Sequence, residues 1–315
     1  MGWFPKGKQQ PGWLALGVHQ DRIDVVHVRR EPNRKPEIAV CDTYRKEGAD
    51  AATLARLRKE FKLDEYRCTL LLKSEEYQVH QLDAPSVPVA EMKNAVRWRV
   101  KDLIDYPLEA ATIDVFEIPV DFNATARKRT VCAVTARNSV IEACVAPFNA
   151  AGVPLAAIDI PDLAQRNIAA LFETAGRGVA MLAFYEKEAI LTFTCGGELY
   201  LARRIDNSLA QLLDADAGRR NQHFERIALE LQRSLDNFDR QYHFVPVEKL
   251  LLAPLPQDAG LQAYLAANIY VPVATVDLGT VMNFPAVPEL RHPERQSQCL
   301  ATIGAALRGE ETASA

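Results

Sequence analysis

Two stretches of the chain each carry three strand patterns in succession, and helical segments follow each stretch. This order limits the fold more than any other feature of the sequence. The strand patterns are Trp13–His19, Ile23–Arg30 and Glu37–Thr43 in the first stretch, and Val179–Tyr185, Ala189–Cys195 and Glu198–Ile205 in the second. Apolar, Val- and Ile-rich segments joined by short turns predict antiparallel hairpins. Because strands precede helices on both sides of residues 175–178, we predict two α/β halves that meet there.

Most of the other segments are typical of helices. The clearest is Asn221–Gln241, in which apolar residues from Phe224 to Phe238 recur at helical spacing. The other predicted helices are Ala51–Lys62, Pro88–Ile104, Ser139–Ala151, Leu163–Thr174 and Glu294–Leu307, and two further strands are predicted at Thr69–Lys73 and Tyr77–Leu82. Residues 310–315 are polar and are predicted to be disordered.

Charge and composition exclude several classes of function. The formal net charge of −4 offers no bulk attraction to nucleic acid, so we expect no nucleic-acid partner. No window approaches the ~18 apolar residues that span a bilayer, and residues 1–8 lack the apolar core of a signal peptide. These features predict a cytoplasmic protein. The cysteines stand singly and no His pair has ligand spacing, so we predict no metal site.

The sequence contains no complete catalytic or nucleotide-binding motif. It has no G-x-x-x-x-G-K-[ST], G-x-G-x-x-G or G-x-S-x-G segment, and its His, Asp and Ser residues show no triad-like grouping. Asp277-Leu278-Gly279-Thr280 matches the D-[apolar]-G-[T/S] phosphate loop of actin-like ATPases. That loop needs a β-hairpin, whereas Pro285 and Pro288 follow here without a second strand pattern. We therefore interpret the match as a coincidence.

The middle of the chain resembles a known family. The matching segments, in order, are Asn94-Ala95-Val96-Arg97-Trp98, Asp102-Leu103-Ile104-Asp105-Tyr106-Pro107-Leu108-Glu109, Cys132-Ala133-Val134-Thr135-Ala136-Arg137 and Ala157-Ile158-Asp159-Ile160. A helix with an R-W pair that leads into a [YF]-P-[LF]-E-E segment and a strand resembles PilM, the actin-like cytoplasmic component of type IV pilus machines. Within that family, the resemblance is to the branch that serves the mannose-sensitive haemagglutinin (MSHA) pilus.

This resemblance implies an α/β, actin-like (ribonuclease H-like) two-domain fold with a small inserted subdomain of the PilM/FtsA type. Residues 1–175 would form the first half, with the subdomain inserted at about 83–159, and residues 176–293 would form the second half. A helix at residues 294–309 would pack back on the first half, ahead of the polar tail.

Actin-like proteins hold ATP with two phosphate hairpins and a glycine-rich adenosine loop, and the resemblance implies where each would lie. The first hairpin of the family has the pattern D-[IL]-G-S-S-S-[VI]-K, which aligns with residues 17–24. Gly17 replaces the metal-managing Asp, and His19 replaces the Gly. Asp21 also adds negative charge where phosphate would bind.

The other two loops depart from the family in the same way. Ala183 and Tyr185 replace the Asp and the Gly of the second hairpin, D-[LIV]-G-x-x-x-[ST]. The adenosine loop should hold G-G after a strand, but this chain has Pro254-Leu255-Pro256, and proline lacks the N–H that close approach to a ligand requires. We therefore predict a pseudo-ATPase that is not an enzyme and binds no cofactor. The alternative is an ATP-binding member with altered loops, in which Asp277 is recruited.

The resemblance implies a non-catalytic scaffold for type IV pilus assembly, peripheral at the cytoplasmic face of the inner membrane. Its partners would be the short cytoplasmic tail of a PilN-like inner-membrane protein and other pilus platform components, and a homodimer is compatible with this function. In PilM-like proteins, the tail lies in the cleft between the inserted subdomain and the domain that carries it. The residues implied here are Arg97, Trp98, Arg99, Tyr106 and Leu108, since Trp and Arg dominate binding hot spots.

Two alternatives stay open. Trp98 could fill the core of the inserted subdomain while the neighbouring arginines are merely solvated. The chain could also be the actin-like module of a type II secretion component similar to GspL. That protein carries a transmembrane helix after the module, and no such segment follows in this sequence.

Overall fold

A computed structural model of the protein describes residues 9–120 and 129–309. These residues fall into two units, each with a core of its own. The first unit contains residues 9–72, 143–168 and 277–309, and the second contains residues 73–120, 129–142 and 169–276. The predicted disordered tail, residues 310–315, lies outside the described residues.

Strands and helices alternate along the chain. In chain order the strands are β1 (Trp13–Val18), β2 (Arg22–Arg29), β3 (Glu37–Arg45), β4 (Arg67–Leu71), β5 (Gln78–Asp83), β6 (Ala111–Ile118), β7 (Thr130–Arg137), β8 (Leu155–Asp159), β9 (Gly178–Phe184), β10 (Ala189–Cys195), β11 (Glu198–Ile205), β12 (Val247–Leu252) and β13 (Val273–Thr275). The helices are α1 (Asp50–Phe61), α2 (Val89–Val100), α3 (Asn138–Ala151), α4 (Pro161–Ala169), α5 (Leu209–Leu212), α6 (Ala217–Gln241), α7 (Leu261–Asn268) and α8 (Pro293–Ala306).

The sheet of the first unit has the strand order β3-β2-β1-β4-β8. β1 pairs antiparallel with β2 and parallel with β4, and β8 pairs parallel with β4. Every residue from Ile23 to Val28 of β2 is buried, as expected for a strand whose two faces are both covered. One of those buried residues, Asp24, is an acid.

Helix α8 packs on β1 and β2. It also crosses α4 closely, because Gly304 presents no side chain there: an added Cβ would lie 2.2 Å from the carbonyl oxygen of Ala164. The side-chain amide of Asn167 donates a hydrogen bond of 2.9 Å to the Gly304 carbonyl. The small residue therefore sets the distance between the two helix backbones.

The sheet of the second unit has the corresponding order β11-β10-β9-β12-β13. Three antiparallel strands are again followed by parallel ones, since β12 pairs parallel with both β9 and β13. Each unit thus follows the same plan, which is the two-half arrangement predicted from the order of strand and helix patterns.

Helix α6 supplies much of the core of the second unit. Its predicted apolar stripe is buried, and the rings of Phe238 and Phe193 stack with centroids 4.4 Å apart. Burial of a side chain of this size stabilises a fold by roughly 1.5–3 kcal/mol. The helix begins at Ala217, earlier than predicted, because Asp216 caps it by accepting a hydrogen bond from the Arg219 N–H. No helix in the described part of the chain is both long and apolar enough to cross a bilayer.

A separate antiparallel sheet, with the order β5-β7-β6, lies between β4 and β8 in the sequence. Helix α2 packs on it through Met92, Val96 and Val100. Ile118 and Cys132 of this sheet join the core around α6. A hydrogen bond from the Gln81 side chain to the Tyr242 hydroxyl also connects the sheet to the rest of the second unit.

The boundaries expected from the resemblance differ from those of the structure. The small sheet begins at Gln78 rather than at about residue 83, and it belongs to the second unit rather than to the first half. Leu155–Asp159, expected in the inserted subdomain, is β8 of the first sheet, because it forms parallel pairs with β4. The second unit ends before Asp277 rather than at residue 293, since Asn283 exchanges backbone hydrogen bonds with Pro36 and Ile38 at the edge of the first sheet.

We expect Gly304→Ala to destabilise the first unit, because the added methyl group would meet the backbone of α4. Overpacking of this kind costs about 1–3 kcal/mol or more. Gly309→Ala is the matched control, since nothing lies within 4 Å of the Cβ that it adds. Urea unfolding followed by circular dichroism compares the two variants. An unchanged midpoint for Gly304→Ala would contradict the close crossing of α8 and α4.

Candidate functional site

The turn between β1 and β2 is the counterpart of the first phosphate hairpin. A Cβ at Gly17, the position of the metal-managing Asp, would lie 2.7 Å from Thr302 Oγ1 and 3.3 Å from His19 Nε2. A side chain of α8 therefore fills the space that an Asp would need. At the family's Gly position, the backbone N–H of His19 donates to the Arg22 carbonyl at 2.9 Å. Packing against Thr302 accounts for the glycine at position 17.

Asp24 is fully buried beneath this turn, at the position where the family pattern ends in Lys. Its Oδ2 lies 2.9 Å from His19 Nε2 and 3.5 Å from Arg22 Nε. Its Oδ1 accepts a hydrogen bond of 2.6 Å from the Thr43 hydroxyl. The basic side chains of the turn are therefore directed at an internal carboxylate, and a phosphate group would have to compete with it.

Helix α8 supports the same carboxylate from the other side. The Arg295 guanidinium donates to Thr43 Oγ1 at 2.6 Å and to the Cys41 carbonyl at 2.8 Å. The Gln298 amide donates to Thr43 Oγ1 at 3.0 Å. Burial alone would raise the pKa of Asp24, but hydrogen bonds with His19 and Thr43 and the charge of Arg22 outweigh it, so the pKa is lowered. Asp24 is thus held in its ionised form.

The turn between β9 and β10 is the counterpart of the second phosphate hairpin. Ala183 is buried in the sheet, and the backbone N–H of Tyr185 donates to the Glu188 carbonyl at 2.8 Å. The carboxylate of Glu188 accepts from Arg204 at 3.1 Å, and Lys187 forms an ion pair of 2.9 Å with Glu75. The charges of Lys187 and Glu188 are therefore also paired inside the second unit.

The segment after β12 is the counterpart of the adenosine loop. The Ala253 N–H donates to the Leu182 carbonyl at 2.8 Å, and Leu255 packs against the core of the second unit. Pro254 and Pro256 have no N–H to offer a ligand. This segment is held by apolar packing, and it lacks the glycine pair that would let a nucleotide approach its backbone.

Asp277, the residue of the ATP-binding alternative, serves a local structural purpose. It caps a short 3₁₀ turn, Leu278–Thr280, by accepting a hydrogen bond of 2.9 Å from the Gly279 N–H. The side chain of Gln296 accepts from the Leu278 N–H at 3.0 Å. The D-L-G-T segment is therefore a capped turn rather than a hairpin, which supports the interpretation that its match to a phosphate loop is a coincidence.

The predicted partner-binding residues fall into two groups. Three of them hold the inserted region together: Arg97 donates to the Leu108 carbonyl at 2.7 Å, Arg99 donates to the Asp83 carbonyl at 2.8 Å, and the Leu108 side chain is buried with α2. Tyr106 is half-buried, with the Arg137 guanidinium 4.2 Å from the centre of its ring. These four residues shape the α2 region.

Trp98 is different, because 70% of its surface is exposed to solvent. It lies two residues after the buried Val96 and two before the buried Val100, which places it on the opposite side of α2. The alternative that Trp98 fills the core of the subdomain is therefore wrong. A largely exposed Trp is an unusual surface residue, and Trp is among the side-chain types most enriched at binding hot spots.

Solved structures with the same architecture identify the fold. A PilM–PilN type IV pilus biogenesis complex matches with a TM-score of 0.70 and 20% sequence identity, covering 94% of this chain and 98% of that chain. A protein with an actin-like ATPase fold from Bacteroides thetaiotaomicron matches with a TM-score of 0.50 and 10% identity, covering 90% of this chain and 96% of that one. The fold is actin-like. No family model and no curated protein matches the sequence.

The actin-like fold confirms the predicted fold class, but the structural part of Asp24 was not predicted from the sequence. The available signal was a single acid within the apolar strand Ile23–Val28, which predicts a buried charge with a partner. Across residues 9–120 and 129–309, no three His, Cys, Asp or Glu side chains are grouped so as to hold a metal ion.

We expect Asp24→Asn to destabilise the protein at neutral pH by roughly 1–3 kcal/mol, because it removes a buried charge that His19, Arg22 and Thr43 surround. The folded-state pKa of Asp24 lies below the unfolded value, so its contribution is present above about pH 4 and is lost as pH falls through the folded pKa. The difference in the free energy of unfolding between the wild type and Asp24→Asn should therefore become smaller as the pH falls.

Urea midpoints measured from pH 7 down to pH 2.5 check this dependence. Asp21→Asn is the control, because Asp21 is exposed in the same turn and its replacement should change stability by less than about 0.5 kcal/mol. If the difference in urea midpoint between the wild type and Asp24→Asn does not change with pH, Asp24 is not an ionised, stabilising residue.

Proposed function

We propose that this protein is a non-catalytic cytoplasmic scaffold for type IV pilus assembly. It would act at the cytoplasmic face of the inner membrane and bind the cytoplasmic tail of a PilN-like membrane protein. The observation that carries the proposal is the similarity to the PilM–PilN complex along nearly the full length of both chains. The proposed system is the MSHA pilus, with this chain as its MshI component, and the resemblance of residues 94–109 supports it.

The contacts of the two hairpins and the prolines of the segment after β12 favour a scaffold over an ATPase. At both hairpins the backbone N–H at the family's Gly position is bonded within its own turn, by His19 to Arg22 and by Tyr185 to Glu188. A phosphate site needs such donors free, together with uncompensated positive charge. In the first hairpin, Asp24 stands where the family has a Lys, so the local charge has the opposite sign.

Binding of a peptide tail is favoured by the exposure of Trp98. The helix that presents it is fixed on its inner side by buried apolar residues and by the hydrogen bonds of Arg97 and Arg99. A rigid helix with an aromatic side chain directed outward loses little conformational entropy when a partner docks. We propose Trp98 as an anchor for the tail. Other platform components and a second copy of the chain stay predictions from the resemblance.

We expect Trp98→Ala to weaken binding of the tail by about tenfold or more, while leaving stability nearly unchanged because the side chain is exposed. Tyr270→Ala is the matched control, since Tyr270 is also an aromatic residue of the second unit and is 63% exposed. Fluorescence anisotropy with a labelled peptide of the cognate PilN-like tail measures both affinities.

Charge reversal of Arg97 or Arg99 is a poorer test than Trp98→Ala. Each arginine bonds a backbone carbonyl of its own unit, so Arg97→Glu and Arg99→Glu should also lower stability. If Trp98→Ala and Tyr270→Ala bind the tail with the affinity of the wild type, the anchor is not on this face of α2. The next surface to test would be Glu198–Arg204. A wild-type protein that does not bind the tail at all would overturn the proposed partner.

We expect no measurable binding of Mg·ATP at millimolar concentration and no hydrolysis above background, because the N–H groups of His19 and Tyr185 are bonded within their turns and the nearby basic side chains lie against acids. Isothermal titration calorimetry measures binding, and phosphate release measures hydrolysis. An ATP-binding PilM-family protein serves as the positive control. A micromolar dissociation constant for this chain would show that it is an ATP-binding member with altered loops.

A further inference from the structure

The edges of the sheets differ in how they are protected against pairing with another chain. Most edge strands show a device that natural proteins use for this purpose, such as charged side chains, short length or a covering segment. β3 is covered in part by Asn283 and Arg295, β13 has only three residues, and β5, β6 and β11 carry charges at Asp83, Asp114, Glu117, Glu198, Arg203 and Arg204.

β8 is the exception. Its sequence, Leu155-Ala156-Ala157-Ile158-Asp159, has no charge before the last residue, and the carboxylate of Asp159 is buried. Asp159 Oδ1 accepts from the Ile160 N–H at 2.8 Å, and Oδ2 lies 3.3 Å from Arg308, so this acid is turned into the unit. Among the described residues, no strand pairs with the outer edge of β8.

The side chains of β8 also leave an apolar surface beside that edge. Ala156 and Ile158 are two residues apart, so they lie on the same face of the sheet. Both are exposed, and Ile158 retains 36% of its accessible surface. A row of backbone donors and acceptors next to small apolar side chains is the surface that an extended peptide recognises by strand addition.

We propose that β8 is a docking strand, and that an extended, apolar part of the membrane partner's cytoplasmic tail pairs with it as a sixth strand of the first sheet. The proposal deepens the proposed function and rests on it. It concerns how the backbone of the tail is held, and it does not depend on the Trp98 anchor. Uncharged residues at alternate positions of the tail would contact Ala156 and Ile158.

The dimensions of the edge favour a peptide over a second copy of this chain. Five residues of a parallel strand extend about 17 Å. Stable protein–protein interfaces bury about 1,200–2,000 Å², and two such short edges side by side supply only a small part of that area. A tail segment of about five residues, in contrast, satisfies its backbone groups along the whole length of β8.

The first test places a charge at the edge. Ala156→Lys should weaken binding of the labelled tail peptide by about tenfold or more, because an exposed lysine on an edge strand disfavours pairing. Thr275→Lys is the matched control, since Thr275 is an exposed residue on the edge strand β13. Circular dichroism and the urea midpoint establish that both variants fold as the wild type does.

The second test examines the backbone of the peptide. Tail peptides N-methylated at one residue at a time should lose affinity at every second position within the pairing segment, because only alternate amides of a strand face its neighbour. Alternating losses together with weak binding by Ala156→Lys support the proposal. Ala156→Lys with wild-type affinity, or uniform effects of N-methylation, overturns strand addition but leaves the proposed partner intact. No binding of the unmodified peptide to the wild type overturns both.

The third measurement tests whether a second copy of this chain, rather than a peptide, pairs with β8. Sedimentation equilibrium of the wild type and of Ala156→Lys should give the same molar mass, because the proposal assigns the edge to a peptide. A wild-type dimer that Ala156→Lys converts to a monomer would show that β8 pairs with a second copy, and it would overturn the proposal.

Discussion

The candidate site at the turn between β1 and β2 depends on the packing of α8 against the first sheet. Gly304 allows this helix to lie against the backbone of α4. In that position Thr302 occupies the space in front of Gly17, and Gln298 reaches the hydroxyl of Thr43, which in turn bonds Asp24. A single helix thus fills the space beside Gly17 in the first hairpin and supports the hydrogen bond between Thr43 and Asp24. An acid at residue 17 would have to displace the Thr302 side chain.

In the other two loops, contacts within the protein and proline residues take the place of ligand-binding groups. Basic side chains meet acids of the same unit, as Arg204 meets Glu188, and proline stands where a backbone amide would be needed. The fold is actin-like, and the N–H groups of His19 and Tyr185 are bonded within their own turns. Trp98 on α2 is exposed, and within the described residues no strand pairs with the outer edge of β8.

Local patterns predicted the hairpins and the buried stripe of α6, because strand and helix periodicity depend only on residues close together in the sequence. The rest depended on contacts between distant parts of the chain. The bond between Gln298 and Asp24 joins residues 274 positions apart. The sequence pattern placed Trp98 among the apolar residues of α2, and only the structure shows that Val96 and Val100 are buried while Trp98 is exposed. The family resemblance placed the end of the insert at about residue 159, and only the parallel pairing with β4 shows that Leu155–Asp159 belongs to the first sheet.

The position of α8 in the chain has a consequence for synthesis on the ribosome. The first strands to emerge, β1 and β2, are covered by a helix that is made only after residue 293. The second unit is complete once residue 276 has emerged, so it can fold while the first sheet still exposes an apolar face. The part of the protein that is made first is thus finished last. A ribosome that stalls late would leave a nascent chain with that face open to chaperones.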